Sequence, residues 1–113
     1  MSSDAIASNE NRLTIVFRVE PGCLGPDGKQ YIDEFCVLVQ RAFAQKTVGS
    51  VNWEIIPRYD KQLPETEYRL GERGFSRDKA QRFLAACGKD LDTLENQLNL
   101  ALPRMIEQYL ARE

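Results

Sequence analysis

The sequence predicts an α+β fold, a two-layer sandwich in which a three-stranded mixed sheet carries its helices on one face, in the order β-α-β-β-α-α. Three observations predict it. Apolar residues alternate with a period of two between Leu13 and Val19; residues 30–46 and 91–110 repeat their apolar positions at helical spacing; and two further short alternating runs lie together between those helical segments.

Residues 1–11 are small, polar and aperiodic, and read as a flexible tail ahead of one domain over 12–113. From Arg12 to Val19, Leu13, Ile15, Phe17 and Val19 share one side of a first strand, with Thr14, Val16 and Arg18 on the other. EPGCLGPDGK follows, a turn-rich loop of about ten residues, longer than most connections. The helix over 30–46 places Tyr31, Ile32, Phe35, Cys36, Leu38, Val39, Ala42 and Phe43 on one broad face suited to packing on a sheet.

VNWEII forms a second strand that Pro57 ends, and TEYRLGE a third. The helix between the first two strands is long enough for a parallel crossover, whereas the second and third are expected to pair as a hairpin through the polar PRYDKQLPE. Ser76 is placed to cap a helix running to Cys87, which Gly88 stops. Asp90 caps the last helix, whose stripe holds Leu91, Leu94, Leu98, Ala101, Leu102, Met105, Ile106 and Tyr109; Pro103 should kink or break it. The order resembles the ferredoxin-like βαββαβ arrangement with its final strand replaced by helix, a likeness that leaves function open.

Composition narrows the chemistry. Fifteen basic and seventeen acidic residues give a net charge of −2, without the positive field of a nucleic-acid or membrane-surface binder. Histidine is absent, which removes the usual proton shuttle and the commonest transition-metal ligand. Cys23, Cys36 and Cys87 are odd in number and lack CxxC spacing, so reduced thiols in a cytoplasmic protein are expected, with Cys36 and Cys87 in the core. No run approaches the ~20 apolar residues that span a bilayer, and the start has no apolar leader.

Gly28-Lys29 precedes a helix as in a phosphate-binding loop, but Cys23 stands where the first glycine belongs and Gln30 where Ser or Thr would bind magnesium. Gly22-Cys23-Leu24-Gly25 has the outline of the GXXG element of KH domains, yet it follows a strand almost directly and carries no charge at its centre. Cys23, near a helix start, is a candidate for a lowered thiol pKa. Tyr59 and Leu63 with Pro57 and Pro64 form a partly rigid loop tip of the kind recognition loops have, or one that packs on its own core.

No acid-base pair, nucleophile-base pair or metal set emerges, so no catalytic residue, metal or cofactor is assigned. The expectation is a non-catalytic cytoplasmic interaction module, homodimeric, that uses the sheet's open face or an overhanging end of the last helix: Val16, Ile56, Met105, Ile106, Tyr109 and Leu110. The alternative is a small-molecule or anion-binding protein, enzymatic or not, with its site at the Arg73–Arg77 helix start and the 20–29 loop, through Lys29, Arg73, Ser76 and Arg77.

Overall fold

The structure is a computed structural model and describes residues 12–46 and 51–112; the expected tail over 1–11 lies outside them. Strand β1 (Leu13–Val19) leads through a 3-10 turn (Pro21–Leu24) into helix α1 (Gly28–Lys46), followed by β2 (Val51–Pro57), β3 (Thr66–Leu70), β4 (Arg73–Phe75), α2 (Arg77–Ala86) and α3 (Leu91–Ala111). The fold is α+β, with a mixed sheet of four strands in the order β2-β1-β3-β4 and helices packed against it.

Two expectations about the sheet are corrected. β3 does not form a hairpin with β2: β2 runs parallel to β1 on one side, and β3 runs antiparallel to β1 on the other. β1 lies inside the sheet and is buried on both sides, with Val16 as fully enclosed as Leu13. The connection 58–65 is long because it must pass the end of β1, where it hydrogen-bonds from Arg58 N to Val19 O and from Arg18 N to Glu65 O. The fourth strand, β4, has no counterpart among the three expected strands. Gly71, with φ of 63°, closes a tight turn after Leu70, and Arg73 then returns to pair with it.

The core lies between the sheet and the helices. Leu13, Ile15, Phe17 and Val19 of β1 meet Val51, Trp53 and Ile55 of β2 and Tyr68 of β3, beneath Ile32, Phe35, Val39 and Phe43 of α1. Leu84, Leu91 and Leu98 close the other side. Phe43 and Trp53 meet with ring centroids 5.2 Å apart, at a separation aromatic pairs favour.

Local signals act where they were read. The Ser76 hydroxyl accepts from Lys79 N and the Asp90 carboxylate from Thr93 N, so each cap supplies an acceptor to a free backbone donor. Gly88, with φ of 78°, follows α2. Pro103 lies inside α3 without ending it, on the solvent side where the carbonyl it leaves free can meet water. Cys87 is exposed beyond the last turn of α2 rather than in the core, whereas Cys36 is buried.

Gly28 is where α1 meets the 3-10 turn. A Cβ there would lie 1.7 Å from Pro21 O, so the residue that suggested a phosphate loop serves a close approach of two backbone segments. At the far edge of the sheet, Gln40 of α1 donates to Trp53 O and accepts from Ile55 N, both at 2.7 Å. Its amide thereby occupies the edge of β2 as the peptide group of another strand would.

Candidate functional site

The face of the sheet turned away from the core has Thr14, Val16 and Arg18 on β1, Asn52, Glu54 and Ile56 on β2, and Glu67 and Arg69 on β3. The register sets Val16 between Glu54 and Glu67. Two ion pairs then run diagonally over this face: Arg18 of β1 reaches Glu67 of β3 at 2.6 Å, and Arg69 of β3 reaches across β1 to Glu54 of β2 at 3.4 Å. They fold over Val16, which has no exposure at all; of the two expected aliphatic contacts on this face, only Ile56 is partly open. Arg18 also donates to Pro64 O at 2.8 Å, which fixes the 58–65 connection and leaves that arginine only 8% exposed.

At the Leu13 end of this face the surface deepens into an open groove of about 990 Å³. Thr14, Asn52, Glu54 and Arg69 line it from the strands, and Glu72 and Arg73 from the β3–β4 turn. Two smaller hollows, about 160 and 200 Å³, lie beside Leu98 and beside Tyr109. The Arg69 guanidinium is incompletely served: among the described residues it makes two long bonds to Glu54, and its enclosed Nε finds no partner there. Neither Arg73 nor Glu72 has a partner among the described residues.

The residues assigned to an anion site are distributed differently. Lys29 stands at the start of α1, beyond the Val19 end of β1, while Arg73 is level with Leu13, about 20 Å away along the strand. Ser76 is engaged as a cap, and Arg77 is bound to Asp92 and Glu95. These bonds hold Arg77 well above the ordinary arginine range. Tyr68 donates to Glu95 as well, and burial together with that bond pushes its hydroxyl up to about 12. The cluster ties β3, α2 and α3 together. Of these four residues, only Arg73 lines the groove.

The C-terminal end of α3 does not overhang. Tyr109 is buried, with its ring edge-on to Phe35 at 5.3 Å and its hydroxyl 2.6 Å from Glu34. Arg112 joins the same carboxylate at 2.6 Å and lies over the Tyr109 ring. Met105 and Ile106 pack partly against the core; Leu110 is half exposed.

The Tyr109 hydroxyl, and after it Arg112, hold the Glu34 carboxyl below the usual carboxylate range. A lowered folded pKa gives stability that is present above the unfolded value, about 4.3, and is lost as pH falls through the folded one. Tyr109→Phe should therefore raise the Glu34 pKa toward its ordinary value, read by carboxyl NMR titration. The stability difference between variant and parent should shrink as pH drops below about 4.

The thiols of Cys23 and Cys36 are not poised for attack. Cys23 is exposed, but partial burial of its sulfur, with Glu20 nearby, raises its pKa instead of lowering it. Burial pushes Cys36 up to about 12. Among the described residues no group of His, Cys, Asp and Glu side chains could hold a metal ion, and no helix is long and apolar enough to cross a membrane. Tyr59 and Leu63 stand out from their loop, not on the core, while Arg58 ties that loop to Glu20 at 2.8 Å and to the Leu63 carbonyl.

The sequence matches no family model, and no curated protein or solved structure is significantly similar to it.

Proposed function

We propose that the protein is a non-catalytic interaction module of the cytosol that meets a second copy of itself through the open face of its sheet. The observation that carries this reading is the charge balance of that face. Arg18 and Arg69 are matched by Glu54 and Glu67 around the enclosed Val16, with Ile56 partly open beside them. A two-fold interface brings the same patch from both copies together, so a patch of one sign would repel itself; a balanced patch can offer each arginine a carboxylate of the other copy.

The non-catalytic part is supported by the state of the reactive groups. The thiols of Cys23 and Cys36 are pushed toward protonation, Arg77 and Tyr68 are committed to carboxylates of α3, and the sequence contains no histidine. The three free cysteines agree with a reducing compartment.

Sedimentation at micromolar concentration should show a dimer that Ile56→Lys converts to monomer without lowering the thermal midpoint of the monomer appreciably. A parent chain that sediments as monomer throughout the micromolar range would remove the proposal. Retention of the dimer by the Ile56 variant would move the interface off this face.

A further inference from the structure

We infer that the outward crest of α1 pairs antiparallel with the same crest of a second copy, Val37 against Val37 and each Arg41 against the Asp33 of the other copy. This contact goes beyond the sheet-face reading and does not rest on it, because it lies on the opposite side of the molecule.

The helical repeat shows which residues form the crest. Ile32, Phe35, Val39 and Phe43 are buried against the sheet. At about 3.6 residues per turn, Val37 and Arg41 then point the other way, and Asp33 precedes Val37 by one turn on the same row. All three are exposed, Val37 by 49%, and Leu38 beside it is 37% exposed. Single apolar residues on a surface are ordinary. Here two aliphatic side chains stand together, and the exposed Tyr59 flanks the row, its hydroxyl donating to Asp33 at 2.8 Å.

The order of charges selects the occupant. Along its crest α1 presents an acid, an aliphatic residue and a base, Asp33, Val37 and Arg41, each four residues after the last. A two-fold axis through Val37 reverses that order in the second copy. Asp33 then meets Arg41 at both ends, while the aliphatic side chains meet in the middle. Rows at a spacing of four are also those that interdigitate when two helices cross. Arg41 has no partner among the described residues, so it brings a guanidinium with nothing to give up. Asp33 uses Oδ1 for Tyr59 and keeps Oδ2 for a second donor. The arriving guanidinium also comes beside the Tyr59 ring, whose face attracts a cation.

One helix face against its copy is a small interface, below about 1,200 Å² in total, so half-association is expected on the order of a few hundred micromolar. The sheet's open face and this crest lie on opposite sides of the two layers and do not compete. Copies joined by one contact stay open to the other, and at high concentration they line up in a row in which the two contacts alternate.

The test is sedimentation equilibrium of the full chain up to about 1 mM in the Ile56→Lys variant, which lacks the sheet-face contact. Monomer is expected to pass to dimer and no further. Asp33→Arg or Arg41→Asp, added singly, should weaken that step at least about tenfold, and the two together should restore it to within about threefold. Residues 33 and 41 are about 12 Å apart along the helix axis, so recovery reports contact between copies and not within one. Dilution of the ¹⁵N-labelled parent chain should shift the amides of residues 33–41 and Tyr59, which reads the same contact without a substitution. Monomer throughout, single variants that associate like their parent, or a double variant without recovery overturns the inference. Failure of the sheet-face reading looks different: the parent then stops at a dimer that Ile56→Lys leaves intact and the α1 variants abolish.

Discussion

Gly28→Ala should destabilise the chain by about 3 kcal/mol or more, while Gly22→Ala, six residues earlier in the same connection, should change stability by no more than about 0.5 kcal/mol. At Gly28 the new methyl would sit 1.7 Å from Pro21 O and 2.7 Å from Pro21 C, both backbone atoms that no rotamer change can remove. Either the 3-10 turn lifts from the start of α1 or the first turn of α1 unwinds. Lifting the turn would expose Leu24, which is buried in the core, and would break the bond from Gly28 N to Gly25 O. At Gly22 nothing lies within 4 Å of an added Cβ, and its backbone does not require a glycine. Urea denaturation of both variants checks the contrast. Similar losses would show that Gly28 matters through chain flexibility and not through contact.

Phe35→Ala should cost about 3 to 5 kcal/mol, in the range for a fully enclosed aromatic replaced by a methyl. Phe35 has no exposure and packs edge-on against Tyr109, so the cavity would open between α1 and the end of α3. The loss should be regional as well as global. With Phe35 gone, Tyr109 keeps the more distant Tyr31 ring, the partly exposed Glu34 and the exposed Arg112 over its face, and amide exchange over residues 105–111 should quicken more than that over 91–98. Uniform acceleration along α3 would mean that the helix docks as one rigid piece. Leu100→Ala, at 75% exposure on the same helix, should be nearly silent.

Much of this architecture is legible in the sequence because its causes are local. The alternation of β1, the apolar face of α1 and the caps at Ser76 and Asp90 each depend on a few neighbouring residues, and each is found where expected, except that Leu38, read into the α1 face, is exposed at its margin. Strand pairing is not local. Nothing within TEYRL says that it prefers β1 over β2; the clue was Val16, an aliphatic residue on the supposedly wet side of the first strand, which marks a strand flanked on both sides. β4 escaped because three residues centred on Gly74 show no alternation.

The candidate site follows the same division. Arg73 could be picked out as a loop cation, but Thr14, Glu54 and Arg69 come together only through the register of three strands. Tyr109 reads as surface or interface by its place near the chain end, yet Glu34 and Phe35 far upstream enclose it. The Arg77 cluster misled for another reason: its partners Asp92 and Glu95 lie on the next helix, and sequence spacing does not reveal that they answer its charge.

The amide of Gln40 along β2 has a consequence for how copies of this chain could accrete. A sheet with two receptive margins can add neighbours indefinitely, β2 of one copy to β4 of the next, and such head-to-tail growth yields fibres. Here one margin is already occupied by a side chain of its own molecule. Edge contact is then left to β4 meeting β4, and an arrangement in which like joins like is complete at two.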